Sequence, residues 1–163
     1  MNELQTVGRR SGRTLHLIDV ENLIGDPMAS DEEVTSVIAA YKQAAGVRPG
    51  DLAVVASNGR LAMAAGLAWP GALLRVGRGP DGADLALLAE APVEDVARRF
   101  TDVVVGSGDG IFVDLVRQLR LRGRRVTVVA RPGSVARQLR YAADVRPMPA
   151  ASGGPASPLG EAA

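Results

Sequence analysis

Three aspartates lie at positions where a parallel sheet would bring them together. Asp19 directly follows the first apolar run of the chain, Asp84 opens a helix after the third, and Asp109 closely follows the fourth. Carboxylates that are held close together repel each other unless a cation lies between them. Oxygen ligands of this kind, with Asn22 nearby, suit Mg²⁺ or Mn²⁺. Such ions activate water and stabilise the charge that develops on a phosphodiester during displacement.

Each acid also has a structural explanation when it is taken alone. Asp19 could accept a hydrogen bond from a loop, Asp84 could be the N-cap of its helix, and Asp109 could be a turn residue between glycines. The three acids together favour a functional cluster over three separate caps.

The elements that would position these acids alternate between strand and helix. Apolar runs predict strands at 14–18, 52–56, 72–76, 101–105, 125–130 and 144–146. Helical periodicity and capping residues predict helices at 32–45, 60–67, 83–90, 92–99, 111–122 and 134–141. Near-continuous apolar strands separated by helices are typical of a parallel sheet covered on both faces. The fold class is therefore α/β.

The topology decides whether the acids can meet. Right-handed crossovers place the carboxyl ends of all parallel strands at one edge of the sheet, and open α/β folds bind ligands in that edge's crevice. The first and fourth strands can be neighbours at the point where the strand order reverses, which would bring Asp19 and Asp109 together. Ser57 and Asn58 follow the second strand and could line the same crevice, or could be turn residues.

The predicted domain covers residues 14–146. Residues 1–13 are polar and are expected to be flexible, and residues 147–163 are rich in Pro, Gly, Ala and Ser and are expected to be disordered. No internal repeat is visible.

Composition excludes several kinds of chemistry. The chain has no cysteine and a single histidine, His16, so thiolate zinc sites, disulfides and cysteine nucleophiles are excluded. We interpret His16, inside the first strand, as a satisfied core residue. No apolar run approaches the roughly 18 residues of a membrane span, and residues 1–13 lack a signal-peptide core. Together these features favour a cytoplasmic protein without membrane partners.

Charge is distributed unevenly along the chain. Residues 1–116 carry ten Lys and Arg against sixteen Asp and Glu, whereas residues 117–146 carry nine arginines against one aspartate. Arginine binds phosphate in a bidentate fork, so this segment could hold nucleic acid. The candidate phosphate contacts are Arg78, Arg117, Arg131 and Arg137. An uneven surface charge, or arginine-rich genomic composition, would explain the same pattern without nucleic acid.

Three motifs resemble those of the NYN family of PIN-like nucleases. They are residues 17–22 (Leu-Ile-Asp-Val-Glu-Asn), residues 82–87 (Gly-Ala-Asp-Leu-Ala-Leu) and residues 105–112 (Val-Gly-Ser-Gly-Asp-Gly-Ile-Phe). The resemblance covers about residues 14–146 and implies a PIN-like, Rossmannoid three-layer sandwich with a central, mostly parallel sheet of five to six strands.

The resemblance also implies a function. It implies a metal-dependent ribonuclease that uses Mg²⁺ or Mn²⁺ to hydrolyse RNA, expected to be single-stranded. By motif, Asp19, Asp84 and Asp109 would hold the metal, and Asn22 would orient them or bind the scissile phosphate. Paired PIN-like domains also make a homodimer a candidate assembly.

One position departs from the family pattern. Ile111 stands where the family often has a second acid in its third motif. Asp114, one helical turn further on, could substitute for that acid or could be a helix-dipole residue, and Ser107 is a further auxiliary candidate.

Two rival functions therefore stay open. One is a catalytically impaired NYN-type protein that binds RNA or a partner chain. The other is a nucleotide-binding enzyme that uses the glycine-rich loop 106–108, although the full Gly-x-Gly-x-x-Gly pattern is absent there.

Overall fold

Six parallel strands form the central sheet of the computed structural model, which describes residues 12–149. The strands are β1 (Thr14–Asp19), β2 (Leu52–Ser57), β3 (Leu73–Val76), β4 (Asp102–Gly106), β5 (Arg125–Ala130) and β6 (Asp144–Pro147). Their order in the sheet is β3-β2-β1-β4-β5-β6, and every neighbouring pair is parallel. The predicted α/β class is confirmed, and so is the neighbourhood of the first and fourth strands.

Seven α-helices and one 3₁₀ turn connect these strands within the described residues. The helices are α1 (Val20–Ile24), α2 (Asp31–Ala45), α3 (Ala62–Ala68), α4 (Gly82–Glu90), α5 (Val93–Arg99), α6 (Val113–Leu121) and α7 (Arg137–Ala142). The 3₁₀ turn spans Gly110–Phe112, so the helix predicted at 111–122 begins with a tighter turn. The helix predicted at 134–141 is shorter than expected and begins only at Arg137.

The sheet has a separate hydrophobic core on each face. On one face, Leu17, Val105 and Val128 pack with Leu87 of α4 and Leu119 of α6. The other face carries the residues packed against α1, α2 and α3, which are Ile18, Leu23, Ile38, Tyr41, Val55, Ala64 and Val104. Alternate residues of a strand point to opposite faces, so both sets are apolar and the strands read as continuous apolar runs. The result is the expected three-layer sandwich.

Helix α1 is absent from the sequence prediction because it has only five residues. Asp19 caps it, since its Oδ1 accepts a hydrogen bond from the backbone N–H of Asn22 at 3.2 Å. Gly25 ends the helix in the left-handed region at φ 76°, a conformation that glycine adopts without steric cost. One and a half turns are too few for a hydrophobic period to show.

Buried His16 has partners for both ring nitrogens. Nδ1 lies 2.9 Å from the Tyr41 hydroxyl, and Nε2 lies 3.4 Å from Asp51 Oδ2. Burial lowers the pKa of His16, although the Asp51 carboxylate opposes that shift. The prediction that His16 is a satisfied core residue is confirmed.

The ordered domain continues past the boundary predicted at residue 146. Pro147 ends β6, and Met148 is buried, with its backbone N–H donating to the Ala130 carbonyl at 2.8 Å. Of the segments expected to be flexible, residues 1–11 and 150–163 lie outside the described residues. None of the helices between residues 12 and 149 combines the length and apolarity needed to cross a bilayer.

We predict that Ser30→Ala destabilises the protein by about 1 kcal/mol, the usual effect of removing an N-cap. Ser30 caps α2 in a capping box, in which its side chain accepts from the Glu33 N–H and the Glu33 carboxylate accepts from the Ser30 N–H. Urea unfolding would measure the decrease in the free energy of unfolding, provided that the m value is the same for both proteins. Ser30→Asp keeps a capping oxygen and should retain most of the stability, and equal losses in both variants would contradict the capping argument.

Candidate functional site

The carboxyl ends of β1 and β4 meet at the centre of the sheet. Ile18 is paired with Gly106, and Asp19 is paired with Ala56 on the other side of β1. The strand order reverses between these two strands, because β2 and β3 lie on one side of β1 while β4, β5 and β6 lie on the other. Open α/β sheets bind their ligands at this point.

Asp19 and Asp84 form a buried pair of acids at this point. Their exposed fractions are 4% and 5%, and their carboxyl groups interact directly. Burial, followed by the contact with Asp84, raises the pKa of Asp19 to about 8. Burial likewise raises the pKa of Asp84, and the charges of Asp109, Asp81 and Glu21 act in the same direction. Burial of the two acids therefore favours the protonated form of the pair when no cation is bound.

Asp84 is not the N-cap of α4, which was its alternative structural explanation. Asp81 occupies the N-cap position, in the left-handed region at φ 57° and without a side-chain capping hydrogen bond. Asp84 lies three residues later, in the first turn, and its Oδ1 is buried without a hydrogen-bond partner. Such an atom has lost its hydration without compensation, which is costly for a charged group.

Asp109 lies near this pair but has a structural contact of its own. Its Oδ1 accepts from the Ile111 N–H at 2.9 Å and so caps the 3₁₀ turn. Its charge contributes to the raised pKa of Asp84, which places it within electrostatic reach. Within residues 12–149, no three acidic or histidine side chains form a ready-made metal-binding group. The structure therefore shows a close pair, Asp19 and Asp84, with Asp109 outside it.

Asn22 joins the two loops that carry the acids. Its Oδ1 accepts from the Gly108 N–H at 2.8 Å, which ties α1 to the loop after β4. Gly108 is packed tightly on its other side, because a Cβ there would lie 2.4 Å from the Ser134 carbonyl oxygen. The role of Asn22 seen here is orientation of the loop that leads to Asp109.

Glu21 is a site residue that the sequence prediction missed. It lines a cavity of about 160 Å³ together with Asp19, Asp81 and Asp84. Its Oε1 accepts from the Ser57 hydroxyl at 3.1 Å and from the Asn58 backbone N–H, and its Oε2 is buried without a partner. The sequence signal was its place in the first motif, between Asp19 and Asn22.

The auxiliary candidates do not join the buried pair. The side chain of Asp114 is 96% exposed and lies 4.0 Å from Arg117 in the first turn of α6, a position that favours its alternative role as a helix-dipole residue. Ser107 is buried and its hydroxyl accepts from the Asp109 N–H at 3.2 Å, which shapes the loop. Ile111 packs against the core on the α4 and α6 face.

Three of the four candidate arginines flank the acidic edge. Arg131 follows β5, and its Nε donates to the Asn22 carbonyl at 3.0 Å. Arg137 is exposed and follows Ala136, whose N–H donates to the Gly108 carbonyl at 2.8 Å. Arg78 is exposed in the loop whose neighbouring glycines line the acidic cavity.

Other arginines of the basic segment serve the fold instead. At the amino ends of the strands, Arg125 forms an ion pair with Asp102 at 2.7 Å, and Arg124 donates to the Phe100 carbonyl. Arg122 pairs with Glu94 of α5. The fourth candidate, Arg117, lies within α6 beside Asp114 and is not in contact with the acidic cavity. The nine arginines therefore do not make one basic face.

The residues fit a divalent cation. Asp19 and Asp84 are buried acids whose pKa values are raised by burial, and two buried carboxylate oxygens, Glu21 Oε2 and Asp84 Oδ1, have no hydrogen-bond partner. Because the available ligand atoms are all oxygen, the site suits Mg²⁺ or Mn²⁺ better than zinc.

Part of this chain is similar to a known domain family. Residues 69–148 match the NYN domain. The matched segment contains Asp84 and Asp109, and the resemblance seen in the motifs is confirmed there. Asp19, Glu21 and Asn22 precede the match, and the sheet brings them to it. The NYN match indicates the PIN-like nuclease superfamily.

Comparison with solved structures agrees on the fold. A protein of unknown function from Vibrio parahaemolyticus superposes with a TM-score of 0.56 at 16% identity, covering 84% of this chain and 93% of that one. At this identity the likeness concerns the fold alone. Comparison with curated proteins gave no significant match.

We predict that Asp84→Asn raises the melting temperature of the cation-free protein at pH 8.5 by at least about 3 °C, the change that roughly 1 kcal/mol produces at this size. Between about pH 4 and 8, Asp19 stays protonated in the folded state, where its pKa is about 8, but is ionised in the unfolded chain, where its pKa is 3.8. The free energy of unfolding therefore falls as the pH rises from about 4 towards 8, and replacing one acid of the pair should remove this loss.

The difference in melting temperature between Asp84→Asn and the wild type, measured in EDTA, should shrink as the pH is lowered to 5. Comparing two proteins cancels the titration of His16, which is present in both. A difference that stays constant between pH 5 and 8.5 would show that the acids do not repel each other.

Proposed function

We propose that this protein is a metal-dependent ribonuclease that hydrolyses phosphodiester bonds of single-stranded RNA. The observation that carries the proposal is the buried Asp19–Asp84 pair at the reversal point of the sheet, in a chain that matches the NYN domain. A buried like-charge pair lowers stability, so its presence in a cleft favours a functional role over a structural one.

The acids have distinct tasks in this proposal. Asp19 and Asp84 would hold Mg²⁺ or Mn²⁺, with Asp109 completing the set from the loop after β4. When bound, the ion supplies an activated water and neutralises charge on the phosphate. Asp19 would hold the ion in its ionised form, and Asn22 keeps the loop that leads to Asp109 in place through Gly108.

The flanking arginines would hold the RNA backbone. Arg78 is exposed in the loop beside the acidic cavity, Arg137 is exposed at the start of α7, and Arg131 lines a cleft of about 500 Å³ beside β6. Few aromatic residues are available for base stacking, since the chain has only five. Contacts to phosphate should therefore dominate affinity, which makes it salt-dependent and only weakly selective for sequence.

A second candidate function is RNA or partner binding without cleavage. The observation that favours it is Ile111, which packs into the core where the family often has an acid. A site short of one carboxylate would bind a second cation poorly and lose turnover while keeping RNA affinity.

We predict Mn²⁺-dependent cleavage of single-stranded RNA by the wild-type protein, abolished by EDTA. Asp19→Asn and Asp109→Asn should each lower the rate by at least about 100-fold, the upper end of the losses caused by altering groups around a metal. Gel analysis of an end-labelled RNA would measure the rate. Asp114→Asn, which changes an exposed acid on α6, should cleave like the wild type.

Binding without cleavage in the wild type would favour the second function. In that case Ile111→Asp is the next variant, because restored cleavage would identify position 111 as the missing acid. Cleavage that survives EDTA or both aspartate substitutions would contradict the proposed mechanism.

We predict that Arg137→Ala and Arg78→Ala weaken RNA binding and each reduce the slope of log affinity against log salt by about 0.7, the value for one contact to single-stranded nucleic acid. Arg125→Ala is the matched control, because Arg125 lies at the opposite edge of the sheet in an ion pair with Asp102. Filter binding at several salt concentrations, in EDTA to prevent cleavage, would measure both. Equal losses in all three variants would mean that the acidic edge is not where RNA binds.

A further inference from the structure

Glu21 has a free carboxylate oxygen inside the acidic cavity. Its Oε1 is fully engaged, because it accepts from the Ser57 hydroxyl and the Asn58 backbone N–H. These two bonds fix the carboxyl group against the end of β2. The other oxygen, Oε2, is buried and meets no donor.

The same cavity contains a second oxygen of this kind. Among the described residues, only Glu21 Oε2 and Asp84 Oδ1 are buried side-chain nitrogen or oxygen atoms without a hydrogen-bond partner. Asp84 is 5% exposed, and both residues line the cavity with Asp19. A buried carboxylate oxygen without a donor is costly, and the coincidence of two in one cavity points to a positively charged ligand.

Glu21 approaches the Asp19–Asp84 pair from the β2 side of β1, because its carboxylate accepts from Ser57 at the end of β2 and from Asn58 directly after it. The three carboxyl groups therefore face the cavity from three different elements, β1, α1 and α4.

We propose that Glu21 binds the divalent cation directly through Oε2 and that the ion draws Asp19 and Asp84 to it, since the three carboxyl groups are not already arranged as a metal-binding group. This inference rests on the proposed function for the presence of a cation. It assigns Glu21 two tasks, since Oε1 holds the loop after β2 and Oε2 faces the ion.

Glu21→Gln separates these two tasks. The amide oxygen can still accept from Ser57 and Asn58, so the loop after β2 keeps its hydrogen bonds. The amide NH₂ replaces Oε2 and removes the negative charge. If Glu21 only holds the loop, the variant should fold normally and bind a cation as the wild type does.

The test is isothermal titration of the full chain with Mn²⁺ alone, without RNA. We expect Glu21→Gln to weaken Mn²⁺ binding by at least about tenfold, the loss typical of altered groups at a metal site. Its melting temperature in EDTA should be equal to or above that of the wild type, because a buried unpaired charge is gone. Glu94→Gln is the matched control, since Glu94 is an exposed partner of Arg122 and its substitution removes the same charge elsewhere.

The outcomes separate this inference from the proposed function. Weaker binding by Glu21→Gln alone supports the inference, whether or not the wild type cleaves RNA. Equal Mn²⁺ affinity in Glu21→Gln and the wild type overturns it and leaves the nuclease proposal standing. Equal weakening by Glu94→Gln overturns it too, because the effect would be one of net charge. A wild type that binds no Mn²⁺ overturns both proposals.

Discussion

The contact between the buried carboxyl groups of Asp19 and Asp84 is the constraint on which the rest of the site depends. Two like charges at low exposure are tolerated only with a proton or a cation between them. The sheet brings the two residues together, because β1 ends at the centre of the sheet and both line the same cavity. The neighbouring elements can be understood as fixing that geometry: α1 is capped by Asp19 itself, and Asn22 ties α1 to the loop after β4.

Stability and function are opposed in this arrangement. The rest of the fold is well satisfied: His16 has partners on both nitrogens, and both faces of the sheet carry continuous apolar cores. The unpartnered buried oxygens, in contrast, are confined within the described residues to Glu21 and Asp84. Burying these two unpaired carboxylate oxygens in one cavity lowers the stability of the fold. A ligand bound in that cavity could relieve this destabilisation.

The sequence predicted the site residues that follow strand ends, but it did not identify those whose role depends on contacts in the folded structure. Asp19, Asp84 and the loop to Asp109 follow apolar runs, and parallel topology dictates that such positions converge. Glu21 also follows the end of β1, but only the structure distinguishes it from its neighbours, because its importance comes from a buried oxygen that meets no donor. For Asp114 the sequence left two roles open, because its spacing of one turn from position 111 fits either, and only the exposure of its side chain on α6 favours the helix-dipole role.

The arginines of the basic segment, residues 117–146, lie at both edges of the sheet. Arg122, Arg124 and Arg125 belong to the amino ends of the strands, where they pair with Glu94, a backbone carbonyl and Asp102. Arg131 and Arg137 come from the same basic segment but follow the carboxyl end of β5, beside Asn22 and Gly108. A strand and the loop after it traverse the whole sheet, so a run of arginines in sequence is distributed to both edges. The arginines that follow β5 therefore lie at the same edge of the sheet as the acids, where the proposed nuclease would need its phosphate contacts.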